Sequence, residues 1–198
     1  MPSFGPTSAL IVVDIQNDFA DPSGSLSVAG GAEVVEPANR YAARAAEAGA
    51  FVVLTQDWHP AHTPHFAQDG GIWPVHCVRD TWGAQFHPGL DVSGPVVRKG
   101  SNGEDGYSGF TMRDPTTGAT IPTELDALLR SRGIRDVAIC GLATDYCVRS
   151  TGLDAIALGY RTTVLRDAIR AVNLAPTDGD AALDELVAAG AIVEMGAE

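Results

Sequence analysis

The chain has 198 residues, with 13 basic against 25 acidic side chains, a formal net charge of −12 and 45% hydrophobic residues. That charge excludes nucleic acid and anionic membranes as partners, because both need a basic face. No apolar run approaches the ~20 residues of a membrane-spanning helix, and length and composition suit one folded domain over residues 1–198 with one substantial core.

Short apolar runs alternate with helix-length amphipathic segments. Ala9–Val13 reads as a buried strand ending at Asp14, and Glu33–Ala48 as a helix closed by Gly49. Phe51–Thr55 is a second strand that ends near Asp57. Trp58 to Gly94 has little regular pattern and is rich in His, Pro, Gly and Trp, and an irregular stretch of that length inside a compact domain is usually functional. Pro95–Arg98 is a short third strand leading into Lys99. Pro122–Arg132 is expected as a helix with proline in its first turn and Gly133 after its end. Val137–Cys140 is a fourth strand, followed by a helical pattern from Val148 towards Leu158. Tyr160–Leu165 is a fifth strand, Thr177–Ala189 a last helix and Ala191–Met195 a last strand. This alternation predicts an α/β fold of three layers, a mostly parallel sheet with helices on both faces.

Met1-Pro2-Ser3-Phe4-Gly5-Pro6 lacks the basic and apolar regions of a signal peptide. Cys77, Cys140 and Cys147 are an odd set without framework spacing, so reduced thiols and a cytoplasmic location are expected. Cys147 is the most informative of them. It follows the strand-like Val137–Cys140 through Gly141-Leu142-Ala143-Thr144-Asp145-Tyr146 and precedes a helix. Unpaired N–H groups at a helix start favour a thiolate, and such a setting can lower a thiol from ~8.5 to ~3.5–7.5. The plainer reading is a small buried hydrophobe, as free cysteines often are.

In an open α/β sheet, ligands bind beyond the carboxyl ends of the strands. Asp14, Asp57, Lys99 and Cys147 all fall there, from four different strands, so the fold would gather them on one edge. Taken singly, Asp14 is a turn residue and Lys99 a surface charge. Together, Asp14 is a carboxylate base for the thiol and Lys99 an ammonium that favours both anions. Asp57-Trp58-His59 sets a carboxylate two residues from an imidazole, and His62, His65 and His76 follow. One carboxylate with two or three imidazoles suits Zn(II), Fe(II) or Mn(II), although the spacing matches no zinc finger. Surface histidines in a loop are the plainer alternative, weakened because four of the five histidines fall between positions 59 and 76. Cys77, beside His76, is expected to pack inward. Phe19, Trp58, Phe66, Trp73, Tyr107 and Phe110 are interleaved with these groups, where a flat substrate could be sandwiched.

Asp14-Ile15-Gln16-Asn17-Asp18-Phe19, Asp57-Trp58-His59-Pro60, Trp73-Pro74-Val75-His76-Cys77, Lys99-Gly100, Tyr107-Ser108-Gly109-Phe110 and Gly141-Leu142-Ala143-Thr144-Asp145-Tyr146-Cys147 resemble, in order, the motifs of the nicotinamidases, within the isochorismatase-like cysteine hydrolases. The resemblance implies a six-stranded parallel sheet and a catalytic triad of Asp14, Lys99 and Cys147. It implies one divalent metal, zinc first with iron or manganese as alternatives, held by Asp57, His59 and His76 with His65 as fourth ligand and His62 as its competitor. It also implies a cis peptide between Leu142 and Ala143, and an oxyanion hole made by the N–H groups of Ala143 and Cys147. Phe19, Trp73 and Tyr107 would flank the ring, with Ala143 as a further substrate contact.

The activity so implied is hydrolysis of nicotinamide, and of pyrazinamide, through a cysteine thioester. The partner is that small molecule; a homo-oligomer is compatible with the sequence. Two alternatives stay open: a metal-independent amidase on a small acyclic amide or carbamoyl substrate, and a non-catalytic nicotinamide-binding protein. A dinucleotide-binding oxidoreductase is set aside, because no Gly-x-Gly-x-x-Gly follows the first strand.

Overall fold

A computed structural model describes residues 3–195. In chain order the elements are β1 (Ser8–Val13), the short α1 (Asn17–Ala20), α2 (Val35–Glu47), β2 (Phe51–Asp57), β3 (Val96–Lys99), β4 (Thr111–Arg113), β5 (Thr120–Pro122), α3 (Leu125–Ser131), β6 (Asp136–Leu142), α4 (Arg149–Ala157), β7 (Arg161–Arg170), α5 (Asp178–Ala189) and β8 (Ile192–Glu194). Six strands form one sheet in the order β3-β2-β1-β6-β7-β8, every neighbouring pair parallel. The strands β4 and β5 form a separate antiparallel hairpin.

Side-chain alternation along the central strand explains the layering. Leu10 and Val12 of β1 face a core that includes Ala38, Tyr41 and Ala45 of α2. Ala9, Ile11 and Val13 face the opposite core, with Leu125 and Leu129 of α3, Ala155 of α4 and Leu183 and Leu186 of α5. Every residue of β1 is buried, which is why it reads as an unbroken apolar run rather than an alternating one. Each fully buried aliphatic side chain of this kind contributes about 1.5–3 kcal/mol of transfer free energy.

The path of the chain places the site. From β1 it moves outward through β2 to β3, then returns to the other side of β1 and proceeds outward through β6, β7 and β8. The reversal lies between β1 and β6, and at such a switch point the carboxyl ends of adjacent strands leave a crevice. Asp14 follows β1 directly, with a left-handed φ of 48° that Asp tolerates better than most residues.

The structure departs from the sequence reading in four places. A 3-10 turn over Gly31–Val34 precedes α2, so the α-helix starts at Val35 rather than Glu33. Pro122 is not in the first turn of a helix; it ends β5, opposite Thr111, where a hairpin edge tolerates its missing N–H, and α3 begins only at Leu125. The strand β7 runs five residues past Leu165 to Arg170. Arg166 and Asp167 interrupt its apolar run, and the pairing register with β6 shifts between Ile139 and Gly141. Finally, Thr144–Val148 forms a π-helical turn, and α4 starts only at Arg149. The segment from Trp58 to Gly94 holds a single 3-10 turn, Ala67–Asp69, and is otherwise irregular.

Gly141, near the end of β6, takes φ 115°, and a Cβ built there would lie 2.0 Å from the Val13 carbonyl oxygen. Because the obstacle is backbone of the central strand, it cannot swing aside. Gly141→Ala should lose on the order of 3 kcal/mol of stability, read as a lower urea midpoint. A variant as stable as the parent would contradict this close approach of β1 and β6.

Candidate active site

Lys99, the last residue of β3, is only 1% exposed. Its Nζ lies 2.7 Å from Asp14 Oδ2, 3.2 Å from the Tyr107 carbonyl oxygen and 3.6 Å from Cys147 Sγ. Asp57, at the end of β2 and paired in register with Lys99, brings Oδ1 to 2.8 Å from the same Nζ, an ion contact not aligned as a hydrogen bond. Thr55, two residues earlier on β2, donates its hydroxyl to Asp14 Oδ1 at 2.6 Å. Asp14, Asp57 and Cys147 each offer an atom within 4.8 Å of the others. The four residues from four strand ends therefore meet at the switch point.

Electrostatics here are set by burial. Burial pushes the Asp14 carboxyl above its ordinary value, and the Lys99 ammonium only partly offsets that. Burial opposes charge on Lys99 as well, but Asp14 and Asp57 outweigh it and hold the ammonium well above its usual range. Asp57 is pulled well below the carboxylate range, since Lys99 and His59 overcome its own desolvation. The Cys147 thiol is raised well above its ordinary value by burial, with Lys99 opposing and Asp14 and Asp57 adding to the rise. These effects oppose the helix-start contribution that favours a thiolate. Cys147 sits inside the π-helical turn, buried between two carboxylates, and those effects dominate.

His59, His65 and His76 form a second cluster, with one nitrogen of each within 4.8 Å of the others and ring centroids 5.0–5.3 Å apart. His76 Nδ1 is 2.7 Å from the Pro74 carbonyl, which only accepts; Nδ1 therefore donates and Nε2 keeps its lone pair. Burial pushes this imidazole down to about 4, so it is neutral at neutral pH, as a metal ligand must be. His59 is 2% exposed, yet neither ring nitrogen has a hydrogen-bond partner. Its Nε2 lies 3.8 Å from Asp57 Oδ2. Buried polar nitrogens without partners are costly, and a cation held by these imidazoles and Asp57 removes that cost; the donor set fits a divalent metal. Gly100 permits the approach of His59, because a Cβ there would be 2.4 Å from His59 Nδ1. His62 stands apart, its side chain 79% exposed and paired with Asp69. Cys77 is fully buried in the core and does not belong to the cluster.

One pocket joins the two clusters. It is lined by Cys147, Ala143, Phe19, Trp73 and Tyr107, and by Asp57, His65 and His76. Trp73 Nε1 donates to the Tyr107 hydroxyl at 3.0 Å. The peptide bond between Leu142 and Ala143 is cis. Of the other aromatics named from sequence, Phe66 packs edge-on to His59 and Phe110 stacks on Tyr160 in the core. Trp58 lies under the Arg98 guanidinium.

Sequence reasoning missed Tyr146, Leu26, Val28 and Val172, which also line the pocket. Tyr146 could have been found from its place beside Cys147; its ring meets Trp73 and Tyr107 at centroid distances of 4.9 and 5.2 Å. Leu26, Val28 and Val172 sit in irregular segments where no periodicity marks a facing direction.

The Isochorismatase domain matches residues 8–198, and the chain belongs to this family. Within it, the chain is 40% identical over 204 residues to the nicotinamidase of Escherichia coli K12, covering 94% of this chain and 93% of that one. Two solved structures share the fold closely. The pyrazinamidase of Pyrococcus horikoshii in complex with zinc superposes with a TM-score of 0.85 at 38% identity, over 96% of this chain and 100% of that one. PnC1 from L. infantum in complex with nicotinate gives 0.86 at 36%, over 100% and 99%.

A neutral resting thiol has a measurable signature. In the metal-free protein, alkylation of Cys147 by iodoacetamide, read by peptide mass, should keep rising with pH beyond the point where an ordinary thiol levels off. A rate already at its plateau by about pH 7 would reveal a resting thiolate and sink this account of the charges.

Proposed function

We propose that the chain is a nicotinamidase, hydrolysing nicotinamide to nicotinate and ammonia through a thioester on Cys147, with pyrazinamide as a second substrate. The observation that carries this reading is one pocket lined together by Cys147, by His65 and His76, and by the rings of Phe19, Trp73 and Tyr107. The similarity to the E. coli nicotinamidase and to the nicotinate-bound structure supports the same substrate class. A nucleophile that must stay reduced suits the cytoplasm, and all three cysteines are free.

In this mechanism the Asp14 carboxylate takes the Sγ proton as Cys147 attacks the carboxamide carbon. The carbonyl π pair moves onto oxygen, where the N–H groups of Ala143 and Cys147 stabilise it. When the intermediate collapses, the C–N bond breaks and the amine takes the proton from Asp14 to leave as ammonia. Asp14 then accepts a proton from water, whose oxygen attacks the thioester. The C–S bond breaks, Asp14 returns the proton to sulfur, and the acid leaves. Lys99 holds Asp14 in place and offsets its charge through the 2.7 Å contact. Phe19, Trp73 and Tyr107 hold the flat ring. Asp57, His59, His65 and His76 would hold the divalent metal, zinc first among zinc, iron and manganese. When bound, it would supply an anchor for the ring nitrogen of the substrate.

Ammonia release from nicotinamide tests the reading directly. Cys147→Ala should abolish turnover while keeping ligand binding. Asp14→Asn should keep the fold and lose ~10²–10⁴-fold in kcat, the usual range for a general base. Turnover within a few-fold of the parent in either variant would overturn that residue's role.

A second measurement separates anchoring from hydroxide generation. Chelation should depress turnover of nicotinamide and pyrazinamide far more than that of any acyclic amide the enzyme accepts. An equal loss on every amide would point to metal-bound hydroxide instead. His76→Ala and His65→Ala should lower metal content per chain, whereas His62→Ala should leave it whole; the opposite pattern between His65 and His62 would reassign the fourth ligand.

A further inference from the structure

Among the three clustered histidines, His65 is the one whose Nδ1 is hydrogen-bonded to a charged side chain. His65 Nδ1 lies 2.6 Å from Asp105 Oδ1, a residue 40 positions away in the loop between β3 and β4. His76 uses a backbone carbonyl for the same purpose, and His59 has no such partner. Asp105 is itself well fixed. Its backbone exchanges two hydrogen bonds with Arg113 of β4, at 2.9 and 2.5 Å, and its Oδ1 also accepts the Gly106 N–H at 2.8 Å. The carboxylate therefore reaches His65 from a tethered position, although 47% of its side chain is exposed. A carboxylate accepting from Nδ1 fixes the ring's tautomer and orientation, leaves the Nε2 lone pair for a ligand and raises its basicity.

We propose that Asp105 is a positioning residue for His65 and sets how tightly the three-histidine group holds its metal. This rests on the reading of His59, His65 and His76 as metal ligands. The side-chain hydrogen bonds of Asp105 go to His65 and to the Gly106 N–H, not to Asp14, Lys99 or Cys147.

Zinc affinity, measured by competition with a chromophoric chelator, and the visible spectrum of the cobalt-substituted protein test this. Asp105→Asn should weaken zinc binding by about 10–100-fold, the usual cost of losing such an outer partner, and should shift the cobalt bands. Asp105→Ala should weaken it at least as much. Glu104→Gln is the control: its carboxylate holds Asn102 rather than His65, and zinc affinity should stay at the parent value. The melting temperature of metal-free Asp105→Asn should match that of the metal-free parent. Parent-like affinity and spectrum in Asp105→Asn would overturn the proposal while leaving the ligand set intact. A loss of affinity that tracks a loss of the metal-free fold would also overturn it, in favour of a loop-holding role. A parent protein that binds no zinc would remove the ligand set, and the proposal with it.

Discussion

A buried ammonium between two buried carboxylates is the interaction on which the site depends. Lys99 is held between Asp14 and Asp57 at 2.7 and 2.8 Å. Removing one partner of such a pair typically costs about 3–5 kcal/mol, because the remaining charge is stranded out of water. Here Lys99 has two partners, so its loss would strand both. Two carboxylates share one ammonium in a water-poor space. A thiolate there would add a further negative charge, and burial and the two carboxylates push the Cys147 thiol up, with Lys99 opposing. Moving the thiol proton to Asp14 during attack leaves the cluster's total charge unchanged.

The sheet makes this possible. No two of Asp14, Asp57, Lys99 and Cys147 are near in sequence, and each would be unremarkable alone. Parallel pairing brings Asp57 opposite Lys99 by register. The reversal of strand order sets the end of β1 beside the end of β6, so Asp14 meets the turn carrying Ala143 and Cys147. Topology supplies proximity, and buried charge supplies the electrostatics.

How much of this was legible follows the physics of each signal. The central strands β1, β2 and β6 are buried on both faces, so unbroken apolar runs such as Ala9–Val13 announced them. The hairpin of β4 and β5 is short and half-exposed, leaving no apolar run to read, and Pro122 there imitated a helix start. The strand ends carrying Asp14, Asp57 and Lys99 could be read because a polar residue closing an apolar strand stands out. Asp105 could not, since it sits in a loop and acts through a contact 40 positions away. The surroundings of Cys147 were hidden for a related reason. Sequence order shows a helix start beside a thiol, but not the burial and the neighbouring carboxylates that outweigh it.

The irregular segment from Trp58 to Gly94 carries all five histidines, yet it is held in place by buried polar groups rather than by secondary structure. The Gln16 side chain pins Asp57 from both sides, accepting its N–H at 2.8 Å and donating to its carbonyl at 2.7 Å, and also donates to Ala84. Asn17 donates to the Trp82 carbonyl. Asp18 accepts the N–H of Cys77 at 2.7 Å, fixing the chain immediately after His76. Phe19 then sets its ring 5.4 Å from that of His76. Each of these polar groups would be costly to bury without its partner, so the loop has little freedom to open one contact at a time. The run Gln16-Asn17-Asp18-Phe19 after β1 is thus a scaffold for a loop that is distant in sequence. It lets the backbone that carries His59, His65 and His76 stay irregular, while their side chains are still held in fixed positions.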